Sequence, residues 1–214
     1  MADINKFLTT RHVYKHRQIP YRRGYLLQGI PGSGKSSLVL GIASALRAPV
    51  YILTLTDRAL TDQDVLGMLG EIPAGGILLL EDIDAAIHTD RAAATSEKES
   101  GGVTLSGLLN SLDGVAASEG RVLFMTTNYP EKLDAALVRR GRIDKVVVFT
   151  HTTQDQAEQM FLRFFPDEFS QACRFGRAIS DKAAAGHNYS MADLQELLNS
   201  AEDSPEKAII SLAS

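Results

Sequence analysis

The sequence has a single cysteine, Cys173, and no tryptophan. One cysteine excludes a disulfide within the chain and fits a reducing compartment, and we expect its thiol to be buried in packing. No apolar run approaches the roughly 20 residues that span a bilayer, and no secretory segment opens the chain, so the chain itself is expected to be soluble. The net charge of −4 gives no overall basic surface, so nucleic acid is not an expected partner.

The remaining composition is that of an ordinary globular protein. Hydrophobic residues make up 44% of the chain and charged residues 22%, which allows a sizeable core. With 214 residues, the chain has room for one large domain or one domain plus a small appendage. A local basic cluster between Arg11 and Arg23 is interpreted as a solvated face rather than a binding site.

The segment from Gly29 to Ser36 matches the phosphate-binding pattern G-x-x-x-x-G-K-[ST] at every fixed position. Its glycines allow the backbone to turn so that successive N–H groups point into one concavity, and the following helix favours an anion there. Lys35 is predicted to reach the β- and γ-phosphates, and the Ser36 hydroxyl is predicted to bind Mg²⁺. The predicted nucleotide-binding residues are Gly29, Ile30, Pro31, Gly32, Ser33, Gly34, Lys35, Ser36 and Ser37.

Short apolar runs alternate with segments of helical spacing before residue 150. The predicted strands are residues 25–27, 50–53, 77–80, 122–125 and 146–149, and the predicted helices are residues 37–46, 62–69, 105–112 and 134–139. This alternation predicts an α/β fold with an open parallel sheet sandwiched by helices, and the phosphate-binding loop makes it one of the P-loop NTPase type. Helical patterns follow at residues 154–165, 169–179, 192–200 and 206–212. We therefore predict an α/β nucleotide-binding domain over residues 1–150 and a small C-terminal helical lid over residues 151–214.

Two local patterns add detail to this outline. Ser190 is followed three residues later by Asp193, which is typical of a capping box at the start of a helix. The stretch 89–102 is rich in Ala, Thr, Ser, Glu and Gly without apolar periodicity, and it is predicted to be a mobile surface loop.

Carboxylates follow the third predicted strand, at Glu81, Asp82 and Asp84. The carboxyl end of a parallel strand lies in the same crevice as the phosphate loop, where one carboxylate can hold Mg²⁺ and its neighbour can deprotonate the attacking water. Three crowded negative charges also favour a cation. The predicted metal-binding residues are Ser36, Glu81 and Asp82.

Polar and basic groups follow the next predicted strand. The amide of Asn128 is positioned to contact the γ-phosphate or the attacking water. Arg139, Arg140 and Arg142 are redundant for a site within one chain, and an alternative is that some of them project towards a neighbouring subunit.

These motifs, in this order, resemble those of the AAA ATPases, from about Phe7 to the C-terminus. The motifs are Gly29–Ser36, Leu80–Asp84, Leu112-Asp113-Gly114, Thr126-Thr127-Asn128 and Arg139–Asp144. Finer features resemble the Bcs-type branch, the mitochondrial chaperones that assemble respiratory complex III. Those features are residues 19–27, 80–86, 104–110 and 124–128.

The resemblance implies a role for each matching residue. By position, Glu81 serves the Mg²⁺ shell and Asp82 polarises water, although the family usually has Asp-Glu, so the two roles stay open. Asn128 matches the first sensor, and Arg139 and Arg142 match the arginine fingers that enter the adjacent subunit of a ring. Arg140 stands where the family often has proline.

Further departures from the family pattern limit what the resemblance implies. The region of a threading pore loop, residues 56–60, has neither an aromatic residue nor a glycine, which fits folded rather than unfolded cargo. No sensor arginine is evident near Ser190. Bcs-type proteins carry an upstream membrane helix and a family-specific domain, so the chain is expected to be an excised ATPase region or a shortened relative.

The favoured function is an ATP-hydrolysing ring subunit that couples turnover to translocation or assembly of a protein client. The alternative is a nucleotide-gated oligomeric scaffold with little turnover. A GTPase is disfavoured because no Asn-Lys-x-Asp motif is present, and no acceptor pocket for a small-molecule kinase is identified. The resemblance implies ATP and Mg²⁺ as cofactors, a homo-oligomeric ring, and a location at the mitochondrial inner membrane facing the matrix, with membrane contact only through an upstream segment. A cytoplasmic relative is the alternative location.

Overall fold

Five strands form one sheet in the order β2-β3-β4-β1-β5. The computed structural model describes residues 1–55, 57, 59–84, 102–113, 119–202 and 204–212. The strands are β1 (Arg23–Gly29), β2 (Val50–Thr54), β3 (Ile77–Glu81), β4 (Val122–Thr127) and β5 (Lys145–Phe149). The pairings of β1 with β4, β3 with β4 and β2 with β3 are parallel. The predicted open parallel sheet is confirmed.

Nine α-helices, together with a short 3₁₀-helix at Pro130–Lys132, accompany the sheet in the described part of the chain. The α-helices are α1 (Ala2–Thr9), α2 (Arg11–His16), α3 (Lys35–Leu46), α4 (Asp62–Glu71), α5 (Leu105–Asp113), α6 (Gln154–Phe164), α7 (Phe169–Ala184), α8 (Met191–Ser200) and α9 (Pro205–Ser211). Capping boxes at Thr61, Thr153 and Ser190 begin α4, α6 and α8, because each hydroxyl accepts a hydrogen bond from a backbone N–H that lacks a helical partner. The predicted cap at Ser190 is confirmed.

Contacts divide the chain into two compact units. One consists of Met1–Gly29 and Lys35–Val148, and the other of Ile30–Gly34 and Phe149–Ser214. The first unit has its main core between one face of the sheet and the helices α4 and α5, with Leu80, Val65 and Leu108 fully buried. The second has a core of Phe161, Phe175 and other apolar residues from α6 to α9. The predicted domain ranges 1–150 and 151–214 stay a prediction, since the second unit also includes five residues of the phosphate loop.

The predicted helix at residues 134–139 is wrong, since the chain forms consecutive turns there. The Asp134 carboxylate accepts a hydrogen bond from the N–H of Ala136 (2.7 Å), and the N–H of Leu137 bonds to the Asp134 carbonyl (3.0 Å). The Ala136 carbonyl is bonded by the guanidinium of Arg142. These bonds engage backbone N–H and C=O groups that an α-helix would use for its own hydrogen bonds. The segment therefore has the apolar spacing of a helix but does not form one.

The expectation of a buried Cys173 is also wrong, because this residue is exposed on α7. The buried residues of that helix are Ala172, Phe175, Gly176 and Ile179, which form one stripe at helical spacing. Cys173 lies outside the stripe, one residue beyond Ala172.

Some sequence predictions fall outside the described residues. Of the predicted mobile loop 89–102, only Gly102 is among the described residues. Thr56 and Arg58 of the pore-loop region are also outside them. The same holds for residues 85, 86 and 114 of the family-like motifs. Among the helices that are described, none has the length and apolar character needed to cross a bilayer.

Gly24 on β1 allows an unusually close approach of two backbone segments. A Cβ atom at this position would lie 1.6 Å from the carbonyl oxygen of Arg142. The Gly24 N–H donates to the Asp144 carboxylate (2.9 Å), and the Asp144 N–H donates to the Gly24 carbonyl (2.9 Å). The backbone just before β5 is therefore fixed directly against β1.

Asp3 ties α1 to the sheet through three partners. Its carboxylate forms ion pairs with Arg23 (2.9 Å) and Lys145 (3.0 Å) and accepts a hydrogen bond from the Tyr25 hydroxyl. Burial alone would raise the pKa of Asp3, but the hydrogen bonds from Tyr25, Lys145 and Arg23 outweigh it and lower the pKa to about 2. Arg22 and Arg23 of the basic cluster thus have structural roles. Arg23 pairs with Asp3 on α1, and Arg22 pairs with Asp113 at the end of α5.

Because the folded-state pKa of Asp3 is depressed, its contribution to stability is present above the unfolded pKa of 3.8 and is lost as the pH falls towards 2. We expect Asp3→Asn to lower the free energy of unfolding at pH 7 by up to about 2 kcal/mol. The difference from wild type should shrink as the pH falls below 4, measured by denaturant unfolding at a series of pH values. Asp181→Asn, a change at an exposed position of α7, is the control and should leave the free energy of unfolding at pH 7 unchanged. A difference between Asp3→Asn and wild type that stays constant with pH would contradict the assignment.

Candidate functional site

The phosphate loop lies where the sequence predicts it, between the end of β1 and the start of α3. The backbone takes a positive φ at Gly32 (69°) and Gly34 (91°), conformations that residues with a side chain rarely adopt. Lys35 and Ser36 form the first turn of α3, and Ser37 beside them is exposed. The local geometry is therefore that of a turn whose N–H groups are suited to binding an anion.

Gly32 also packs tightly within the second unit. Its carbonyl accepts a hydrogen bond from the N–H of Ala192 (3.0 Å), in the first turn of α8. A Cβ atom on Gly32 would lie 2.9 Å from both the Ala192 Cβ and the Ser190 Oγ. Glycine is thus required at position 32 both for its φ and for the small space beside α8, and sequence reasoning found only the first reason.

The Lys35 side chain is buried, with 8% of its surface exposed. Its ammonium group donates hydrogen bonds to the Gly29 carbonyl (3.0 Å) and to the Asn128 amide oxygen (2.7 Å). Burial lowers the pKa of Lys35, and the negative charges of Asp82 and Asp84 oppose this shift. Lys35 and Asn128, which the sequence places in two separate motifs, are thus hydrogen-bonded to each other.

Ser36 and Glu81 are brought together from α3 and β3. The Ser36 hydroxyl donates a hydrogen bond to the Glu81 carboxylate. A hydroxyl and a carboxylate in contact offer two hard oxygen ligands, which suits Mg²⁺, an ion usually held by one or two carboxylates together with substrate phosphates and water. Among the described residues, no group of three or more His, Cys, Asp or Glu is placed to hold a metal by itself. The donor set therefore fits a metal that arrives with a phosphate ligand.

Asp82 follows β3 with a left-handed backbone, at φ 49°. Its N–H donates to the Thr126 hydroxyl (3.1 Å), and its carboxylate accepts from the Asn128 side-chain amide (3.4 Å). Burial raises the pKa of Asp82, the charges of Asp84 and Glu81 raise it further, and Lys35 opposes them. Asn128 thus joins Lys35 to Asp82, so that all three side chains form one hydrogen-bonded group.

Asp84 and Thr127 form a second buried pair, to which the sequence analysis gives no role. The Asp84 carboxylate accepts a hydrogen bond from the Thr127 hydroxyl (2.6 Å), and both residues are buried. The Thr127 oxygen also accepts a hydrogen bond from the N–H of Tyr129 (3.0 Å). These bonds fix the chain on both sides of Asn128. The run of acidic residues after β3 indicates that Asp84 belongs near the site. No pattern in the sequence predicts its hydrogen bond with Thr127.

The arginines lie apart from this group. Arg139 and Arg140 are exposed, whereas the Arg142 guanidinium is bound to the Asp113 carboxylate and to the Ala136 carbonyl. Within the described residues, no hydrogen bond or ion pair joins Arg139 or Arg142 to Lys35, Glu81 or Asp82. Among the described residues, hydrogen bonds thus join Glu81, Asp82 and Asn128 to one another's surroundings at the phosphate loop, whereas none joins Arg139 or Arg142 to them. Asp113 was noticed in the sequence only as part of a motif, and its pairing with Arg142 was missed.

Comparison with known families gives two adjoining matches. The model of the ATPase family associated with various cellular activities (AAA) matches residues 25–151, which is more than half of the chain. The model of the mitochondrial chaperone BCS1-like ATPase lid domain matches residues 154–214.

Similar proteins carry related names. A probable mitochondrial chaperone BCS1-A of Dictyostelium discoideum is 44% identical over 98% of this chain and 50% of its own length. The mitochondrial chaperones BCS1 of Danio rerio and Homo sapiens are both 44% identical, over 86% and 78% of this chain and over 44% and 41% of their own lengths. The chain thus spans about half the length, or somewhat less, of the curated relatives it matches.

These matches confirm the family resemblance, the fold class and the ATPase class that the sequence predicts. They also agree with a nucleotide as the ligand of the phosphate loop, since the matched family is one of ATPases. The chain belongs to the AAA family of ATPases and carries the lid domain of the BCS1-like branch.

Proposed function

We propose that this chain hydrolyses ATP as one subunit of a homo-oligomeric ring, and that hydrolysis is coupled to the movement or assembly of a protein client. Three hydrogen bonds support this most directly: Ser36 to Glu81, Lys35 to Asn128 and Asn128 to Asp82. They bring the phosphate-binding end of α3 together with the acidic end of β3 and the polar end of β4, as hydrolysis of a bound triphosphate requires.

Each residue has a proposed task in this site. The loop N–H groups between Gly29 and Ser36 and the Lys35 ammonium hold the phosphates. Ser36 and Glu81 would hold Mg²⁺, which would neutralise charge on the phosphate oxygens. Asp82 accepts a proton from the attacking water, and Asn128 orients that water or the terminal phosphate. The contact with Ser36 favours Glu81 over Asp82 as the metal ligand, which supports Asp82 as the base.

The client and the location are proposed from the relatives. Because similar proteins are named mitochondrial chaperones, we propose a mitochondrial location and a protein client. From the resemblance to the Bcs-type branch alone, we propose that the ATPase faces the matrix at the inner membrane. The absence of an aromatic residue and of glycine at residues 56–60 supports folded rather than threaded cargo.

The first test is Lys35→Ala. We expect this change to weaken ATP binding by roughly 100-fold, because it removes a buried cation that makes charge-assisted bonds. Calorimetric titration with ATP and Mg²⁺ measures the affinity. Lys207→Ala, which removes only an exposed cation paired with Glu202, should bind ATP as wild type does.

Steady-state phosphate release from wild type distinguishes the two candidate functions. Release that depends on Lys35 supports the hydrolytic subunit. Unchanged ATP affinity in Lys35→Ala would contradict the site itself, and tight binding by wild type without phosphate release would instead support the nucleotide-gated scaffold.

A further inference from the structure

The backbone at Asp82 adopts a conformation that is uncommon for residues with a side chain. Its φ of 49° lies in the left-handed region, where Asp is tolerated better than most residues but still needs support from its surroundings. Glu81 ends β3 immediately before it, so the chain leaves the strand at this residue. The direction of the Asp82 side chain therefore depends on whatever holds this turn in place.

Thr126 on the neighbouring strand β4 holds the turn through two bonds. Its hydroxyl oxygen accepts the N–H of Asp82 (3.1 Å), and its carbonyl oxygen accepts the N–H of Ile83 (3.1 Å). The regular pairing of β3 with β4 extends to Leu80 and Met125. At the next position, the Thr126 side chain replaces the ladder bond that a continuing strand would have made, since Asp82 has turned away.

We propose that Thr126 is a positioning residue for hydrolysis, which fixes the Asp82 carboxylate by binding the backbone of Asp82. The proposal rests on the proposed role of Asp82 as the base. Thr126 itself does not touch Lys35, Glu81 or the Asp82 carboxylate through any hydrogen bond among the described residues. Its effect is therefore expected on the rate of the chemical step and not on nucleotide binding.

The hydroxyl, rather than the shape of the side chain, is the required group. Thr126 is 2% exposed, so water cannot readily replace its hydroxyl. Valine has nearly the same shape as threonine but would leave the partly buried Asp82 N–H without its acceptor, and the loss of that bond removes the support for the turn. Serine lacks the methyl group but keeps the acceptor.

The test compares Thr126→Val with Thr126→Ser at a protein concentration at which wild type is active. We expect Thr126→Val to lower kcat by roughly 10- to 100-fold, as displacement of a catalytic group by about 1 Å does, while ATP affinity and KM stay close to wild type. Thr126→Ser should recover most of kcat. Thr126→Ala is a second variant without the hydroxyl, for use if the buried valine prevents folding, and circular dichroism checks the fold of each.

Two further variants separate the possible failures. Ser111→Ala removes another buried hydroxyl, bonded to the Gly107 carbonyl (2.8 Å) on α5, and should leave kcat unchanged. Asp82→Asn should be inactive. If Asp82→Asn is inactive while Thr126→Val keeps the kcat of wild type, or if Val and Ser are equally impaired, the positioning role is wrong. If Asp82→Asn is active, the proposed base is wrong and the inference fails with it.

Discussion

Replacing Arg139 by alanine should lower ATP turnover by about 10³- to 10⁵-fold while leaving nucleotide affinity nearly unchanged, as expected for an arginine that acts on a neighbouring subunit's nucleotide. The Arg139 side chain is exposed and has no hydrogen bond or ion pair within the described residues. It is therefore available to another chain. Steady-state phosphate release and calorimetric ATP binding measure the two quantities.

Arg140→Ala is the matched control, because Arg140 is the adjacent exposed arginine and stands where the family often has proline. It should keep turnover. Arg142→Ala is a less specific test, since the same change also removes the ion pair with Asp113 and the bond to the Ala136 carbonyl. We expect it to lower both turnover and thermal stability.

Mixing subunits tests whether catalysis is shared. Arg139→Ala and Asp82→Asn should each be inactive alone, whereas a mixture should regain some activity at interfaces that combine an intact carboxylate with an intact arginine. Specific activity of wild type should also rise with protein concentration as interfaces form. Activity per molecule that stays constant from dilute to concentrated protein, together with a fully active Arg139→Ala, would refute the shared site.

Asp82→Asn should retain ATP binding and lose about 10²- to 10⁴-fold in kcat, because an amide of the same shape cannot take a proton from water. Phosphate release and ATP titration again provide the measurements. Glu81→Gln is the informative comparison. Since Glu81 is bonded to Ser36, its loss should raise the Mg²⁺ concentration needed for activity. If Glu81→Gln abolishes turnover at every Mg²⁺ concentration while Asp82→Asn stays active, the two carboxylates have the reverse roles.

The parts of the site that the sequence predicts are those that depend on a local motif or on where a parallel strand ends. The phosphate loop follows from glycine spacing, and the positions of Glu81 and Asn128 follow from parallel strands whose carboxyl ends meet at one edge of the sheet. The contact of Lys35 with Asn128 and of Ser36 with Glu81 is consistent with that geometry.

The remaining features depend on partners that are distant in sequence. Thr127 binds Asp84 and Asp113 binds Arg142 because two elements are placed side by side, and no local pattern encodes either pair. The turns at residues 134–139 show the same limitation. Their spacing favours a helix, but the bonds that prevent it include one from Arg142, which lies beyond the segment itself.

Gly24 affects how natural variants of this protein would be interpreted. An added methyl group there would collide with the carbonyl of Arg142, so the backbone that carries the arginines would be forced away from β1. A missense change at Gly24 is thus expected to resemble the loss of an arginine more than 110 residues later, although it lies in a strand and leaves every predicted site residue intact. Whether a variant of this chain is harmless therefore depends on what the changed position contacts, and not only on whether it carries a predicted site residue.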